Sequence, residues 1–311
     1  MESTSAWCTI LRETVDFSQH HYLEASGGRS FSTFPILMVY YKALLTGLRY
    51  LHHDCHVIHT DLKLSNILFI MENSKTLLLN YETYALENPS SRRILPDREV
   101  YVSDSDFGGW VKREAPLAVI SDFGNAVRGD QGVYGHFIQP DPFCGPDISF
   151  GMAWSYIVDI WNLRGVLVRV LRQLLSTILI IPRLALHMFE CLCMKSQISS
   201  LDSKEKFDIL VQMAPTKRLL GPPPVELINR IHPECRSMLF ENGPFKHRRY
   251  YPPRNEGIFE VLFSTIPDSW QEEFFIAFLK RMLRRLPEER ASIDELLADP
   301  WMSSVQASRN R

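Results

Sequence analysis

One short stretch concentrates side chains suited to moving a phosphoryl group. His59-Thr60-Asp61-Leu62-Lys63-Leu64-Ser65-Asn66 sets a carboxylate, an ammonium and a carboxamide close together, between the apolar pairs Val57-Ile58 and Ile67-Leu68. Phosphoryl transfer needs an in-line nucleophile, magnesium ligands and positive charge on the moving group, and asks little covalent chemistry of the protein. The stretch holds residue types for these tasks. Further carboxylates come from two Asp-Phe-Gly triplets, at 106–108 and 122–124. The second follows Leu117-Ala118-Val119-Ile120, an apolar run that reads as a strand; the first follows Ser103-Asp104-Ser105 with no strand before it.

Residues 57–68 match the pattern His-x-Asp-x-Lys-x-x-Asn and resemble the catalytic loop of a serine/threonine protein kinase. By that resemblance Asp61 accepts the proton of the substrate hydroxyl, Lys63 neutralises charge on the γ-phosphate, and Asn66 ligates magnesium. His59 would be structural, packed beneath the loop. The strand before it favours Asp122 over Asp106 as the other magnesium ligand. Pro146-Asp147 stands in the place of the kinase Ala-Pro-Glu, and Arg290 matches the buried arginine that pairs with its acid. Val158-Asp159-Ile160-Trp161 resembles the start of the central helix of the large lobe, where Asp159 would hold the catalytic-loop backbone. ATP and Mg2+ are the implied cofactors, with Lys63, Asn66 and Asp122 as their contacts.

Three further features point to one branch of the family. Thr60 replaces the usual arginine before the catalytic Asp, and both Asp122-Phe123-Gly124-Asn125-Ala126 and Trp154-Ser155-Tyr156 fit the same group. Together they resemble the SR-protein kinase-like branch of the CMGC kinases in a fungal-type form, whose substrates are serines of Arg-Ser-rich splicing factors. The usual arginine reads a phosphate on the activation segment. Threonine cannot, and residues 123–146 contain no Ser or Thr to carry one, only Tyr134. An activation switch on Ser or Thr is therefore not expected.

The elements that must position these residues are partly legible. Residues 35–53 carry apolar side chains at 36, 37, 40, 44, 45, 48 and 51, which is helical spacing, and Pro35 suits a helix start. Residues 76–101 mix apolar and turn residues, with a loop at Pro89-Ser90-Ser91. Residues 125–147 read as irregular. A helical pattern runs from Trp154 through Trp161, and two helical stretches joined at 286–290 lie within 270–302. The expected fold is mainly α: a protein-kinase C-terminal (large) lobe with short β-hairpins around the catalytic loop and the Asp-Phe-Gly motif, and the N-terminal lobe absent. It would span 33–303, after a poorly ordered segment 1–32 and before a tail 304–311.

Composition narrows the partners. The chain has 311 residues, 45% hydrophobic and 23% charged, with a net charge of −2, so no global field argues for nucleic acid or an anionic membrane. The basic run Lys246-His247-Arg248-Arg249 reads as a solvated loop. Six cysteines lie without CxxC spacing, which indicates neither a disulfide framework nor a zinc site. No signal peptide is apparent. Residues 165–181 are apolar but include Arg169 and Arg172 and end at Pro182, which reads as a buried helix rather than a membrane span. The expected partner is a protein substrate, in the cytoplasm or nucleus. His52, His53, His56 and His59 read as structural rather than as metal ligands.

Two departures from the family stand out. No G-x-G-x-x-G and no Val-Ala-x-Lys occurs, and Lys42 lies within the helix of residues 35–53. A small lobe would supply those groups to ATP, so its absence predicts weak or absent turnover, with a pseudokinase fragment acting as a protein-binding module as the alternative. Arg164 also interrupts the family's Asn-Leu-Gly-Val, and residues 164–206 read as a divergent or inserted segment.

Overall fold

The computed structural model describes residues 33–70, 74–102, 117–139, 144–178, 223–233 and 272–302, with residues 220, 236 and 237. The expectations for 1–32, Asp106-Phe107-Gly108, residues 179–206, Lys246–Arg249 and the tail 304–311 lie outside the described residues. What is described is mostly helical with little sheet.

Helix α1 (Thr33–His53) begins close to Pro35. It buries Met38, Tyr41, Leu44, Leu45 and Leu48, each 4% exposed or less, on one three-to-four-residue stripe. The stripe packs on strand β5 (Leu117–Ile120), on α4 (Ile157–Ile178) and on α7 (Ile293–Leu297). Helix α4 is the buried axis. Val158, Ile160, Trp161, Leu163, Val166, Leu167 and Val168 are all 2% exposed or less. A helix buried on every side over residues 158–168 in this way has to sit inside a core. Arg164 does not break it: the helix runs on through this position, and the guanidinium lies 4.5 Å over the Trp161 ring. No helix among the described residues is long and apolar enough to cross a membrane.

Helix α6 (Glu272–Met282) closes the other side with Phe275, Phe278, Leu279 and Met282. Fully buried Trp301 fills the junction, with ring centroids 5.0 Å from Phe275, 4.7 Å from Phe278 and 6.4 Å from Tyr41. Burying each such side chain contributes about 1.5–3 kcal/mol. Tyr41 is buried too, and burial pushes its phenol well above the usual range; its hydroxyl meets the Met282 sulfur at 3.3 Å. Ser292 starts α7 with a reciprocal capping box, its side chain accepting from the Glu295 N–H while Glu295 accepts from the Ser292 N–H.

The strands differ from expectation. Hairpins were expected around the catalytic loop and the Asp-Phe-Gly motif, but both ladders there join distant segments. Strand β1 (Val57–Ile58) pairs antiparallel with β6 (Val127–Arg128), and β2 (Ile67–Ile70) pairs with β5, Ile67 opposite Ile120. These long-range pairs bracket residues 59–66 on one side and 121–126 on the other. The described hairpin is elsewhere. Residues 76–101, expected as a mixture, form most of helix α2 (Ser74–Glu87) and then β3 (Arg92–Ile94) with β4 (Glu99–Tyr101). Asn88-Pro89 ends the helix, since proline cannot continue it, and the Leu95 N–H to Arg98 carbonyl bond of 2.8 Å closes the hairpin turn.

Candidate active site

Asp159 lies in the first turn of α4 and is fully buried. Its carboxylate accepts from the backbone N–H of His59 (2.8 Å) and of Thr60 (2.9 Å), and His52 Nε2 lies 2.8 Å from it. The stretch 59–66 therefore hangs by its backbone from the most buried helix. A carboxylate can satisfy several donors at once, and hydrogen bonds to a charged group are the stronger kind.

His59 is wholly buried under this loop. Its Nδ1 receives the Asp61 N–H at 3.3 Å, while its Nε2 faces the Ser121 carbonyl at 2.9 Å. An amide N–H can only donate and a carbonyl can only accept, so Nδ1 serves as the acceptor and Nε2 as the donor. The same ring packs on Phe123, centroids 5.1 Å apart. His59 thus ties the 59–66 stretch to the Asp122-Phe123-Gly124 turn.

Asp61, 5% exposed, directs one carboxylate oxygen inward. Oδ2 accepts from Lys63 Nζ at 2.6 Å and from Asn66 Nδ2 at 3.2 Å. Asn66 Nδ2 also donates to the Asp61 carbonyl at 2.9 Å. Both amide hydrogens being so used, Asn66 presents Oδ1, which takes only a long 3.4 Å contact from Ser65. Asp61 Oδ1 is buried and has no hydrogen-bond partner among the described residues. A buried carboxylate oxygen without a donor is costly, and sites that tolerate such a cost are often functional.

Asp122 stands at the end of β5. Its neighbour Ser121 donates from both N–H and hydroxyl to the Asn66 carbonyl, each at 2.9 Å, which sets the two chain segments side by side. Asp122 is exposed with φ +64°, and among the described residues its carboxylate takes no hydrogen bond or ion pair. The Asp122 carboxylate and Asn66 Oδ1 are hard oxygen donors on two chain segments that the Ser121–Asn66 bonds set side by side. That donor set fits Mg2+, which is commonly held by one or two carboxylates with phosphates and water. The described residues contain no group of three or more His, Cys, Asp or Glu able to hold a metal. His52 and His59 are engaged as above, and His53 faces Asp294 at 3.5 Å.

The pair Asp147–Arg290 lies deeper. Both side chains are 0% exposed, with two guanidinium–carboxylate bonds of 2.6 Å each. Arg290 also donates to the carbonyls of Arg284 and Arg285 and lies 5.0 Å over the Trp161 ring. Asp147 belongs to α3 (Pro146–Ser149), so the pair joins the end of the 122–147 segment to the chain's C-terminal part.

Sequence reasoning missed three contacts here. They are the His52–Asp159 contact, the His59–Ser121 bond, and a hydrogen bond of 2.8 Å from the Thr60 hydroxyl to the Asn125 carbonyl. It also gave no sign of the apolar groove of about 590 Å3 on the outer face of α1. That groove is lined by Val39, Lys42, Thr46, Tyr50, Val119 and Phe123 among others, and it touches Phe123 but not Asp61, Lys63, Asn66 or Asp122.

The geometry can be set beside known proteins. No protein-family model matches the chain. Individual proteins do. A serine/threonine protein kinase of Aspergillus fumigatus is 29% identical over 269 residues, covering 84% of this chain and 56% of its own length. The chain's homologues are protein kinases. The serine/threonine-protein kinase SRPK of Physarum polycephalum is 25% identical, with 87% of this chain and 61% of the relative covered. The dual specificity protein kinase CLK4 of Homo sapiens is 22% identical, with 96% and 50% covered. Two of these kinases carry the names SRPK and CLK4, and the chain spans about half to three-fifths of the three relatives' lengths.

Proposed function

We propose that the described residues form the large-lobe half of a serine/threonine protein kinase of the SR-protein kinase-like branch. Asp61 accepts the hydroxyl proton of a substrate serine or threonine while the hydroxyl oxygen bonds to the γ-phosphorus of ATP and the bond to the bridging oxygen of ADP breaks. The observation that carries this reading is the divided Asp61 carboxylate. One oxygen is held by Lys63 and Asn66, and the other is buried, without a partner among the described residues and free to take a proton. Lys63, 27% exposed, reaches from Asp61 toward solvent and can hold γ-phosphate charge. Asn66 and Asp122 would hold Mg2+, which when bound neutralises the phosphate oxygens. The kinase relatives support the reading, and those named SRPK and CLK4 favour Arg-Ser-rich protein substrates.

The 311 residues hold no G-x-G-x-x-G and no Val-Ala-x-Lys. Losing one preorganised electrostatic contact typically costs about 10²–10³ in rate. Assayed by itself, this polypeptide is therefore expected to turn over slowly. That same absence favours a second reading, a non-catalytic module that binds protein substrates. Transfer of labelled γ-phosphate to an Arg-Ser-repeat peptide separates them. Slow, Mg2+-dependent labelling of serine is the expected result. Peptide binding without labelling would favour the module, and rapid turnover would remove the claim of impairment.

A further inference from the structure

Thr60 immediately precedes Asp61 and has φ +67°, a backbone region that a β-branched residue rarely enters. Asp122 has φ +64°, so the two candidate acids lie at or beside matched left-handed positions. Strain of this kind persists only where the surroundings over-determine it. Here they do. The Thr60 N–H donates to Asp159 at 2.9 Å, and its hydroxyl donates to the Asn125 carbonyl at 2.8 Å. Thr60 is 1% exposed, so the donor end of that bond is shielded from water.

Asn125 ends the short 3-10 turn Phe123–Asn125 that Asp122 opens. At the front of the turn, His59 holds the Ser121 carbonyl at 2.9 Å. Thr60 holds the back. The Asp122 carboxylate itself has no protein partner among the described residues, so its position is set by what flanks it: these two bonds, the Ser121 bonds to Asn66 and the strand ladders on either side. We infer that Thr60 is a positioning residue for a divalent cation: its hydroxyl pins the turn bearing Asp122 to the residue next to Asp61. This rests on the reading of Asp122 as a metal ligand. Threonine suits the task because its β-branch restricts χ1 and keeps the hydroxyl aimed.

Without the hydroxyl, the back of the turn is held only from Val127 on, by the β1–β6 ladder, and Asn125 must be ordered when metal binds. Thr60→Val keeps the shape and removes the donor; Thr60→Ser keeps the donor. Thermal unfolding of the full chain is followed against Mg2+ concentration at fixed ATP. One lost hydrogen bond should raise the Mg2+ needed by the valine variant about five- to tenfold, while the serine variant stays near wild type. Hydrogen exchange without metal gives an independent readout, with amides of 123–126 faster in the valine variant and restored by serine. Thr60→Ala gives the same comparison if the valine variant does not fold. Wild-type Mg2+ dependence and exchange in the valine and alanine variants would overturn the inference. If wild type responds to Mg2+ and Asp122→Ala does not, that failure is confined to Thr60. If wild type shows no response, the metal-ligand reading and the inference fall together.

Discussion

Replacing Asp61 with Asn should lower phosphoryl transfer by about 10²–10⁴-fold without making the folded chain less stable. The two halves of this result have one cause. Asp61 Oδ1 is buried with no donor among the described residues to satisfy it, so a charge there is held at a cost to the fold. Asparagine keeps the shape and one acceptor oxygen while removing the charge. Lys63 then loses its 2.6 Å ion pair, but at 27% exposure it can turn to water, and ion pairs that reach solvent are worth little. Transfer assays paired with urea unfolding read both quantities. A variant with unchanged transfer would remove Asp61 as the base. A large loss of stability would make its role structural.

Removing Arg290 should have the opposite signature. Arg290→Ala leaves the Asp147 carboxylate uncompensated in a site that is 0% exposed. Breaking one side of such a pair typically destabilises by about 3–5 kcal/mol. Lysine is not a conservative replacement, because it cannot make two parallel bonds to the carboxylate and also reach the carbonyls of Arg284 and Arg285. Replacing both partners with apolar residues of similar volume should recover most of the loss, since the buried charge is then gone. Urea unfolding of the two single variants and the double variant is the measurement. Additive losses would mean that the partners act independently.

The contrast between Asp61 and Arg290 also shows what was legible in the sequence. The 59–66 stretch could be read because its chemistry is contiguous, and α1 because its apolar side chains recur at helical spacing. Asp147 and Arg290 were paired only by resemblance, as nothing local links positions so far apart. The β1–β6 and β2–β5 ladders were misjudged as hairpins because short strands carry no mark of a distant partner. Helix α2 is not legible because its described apolar residues Leu79, Tyr81, Tyr84 and Leu86 do not recur along one face. Exposed Leu79, Tyr84 and Leu86 bear this out. The left-handed backbone at Thr60 was hidden for a physical reason: propensity argues against a β-branched residue there, and tertiary bonds overrode it. Arg164 was legible as an anomaly, but its outcome was not. The helix absorbed it by stacking the guanidinium on Trp161.

The central claim is that Asn66 and Asp122 complete a metal–nucleotide half-site beside Asp61. Its most direct test is the thermal stability of the 311-residue chain with millimolar ATP, with and without Mg2+, compared with Asp122→Ala. Ligand at about 100-fold over Kd stabilises by about 2.7 kcal/mol; a half-site that binds more weakly should still give a measurable rise that requires both Mg2+ and Asp122. Stabilisation by ATP that ignores Mg2+, or that survives in Asp122→Ala, would contradict the account.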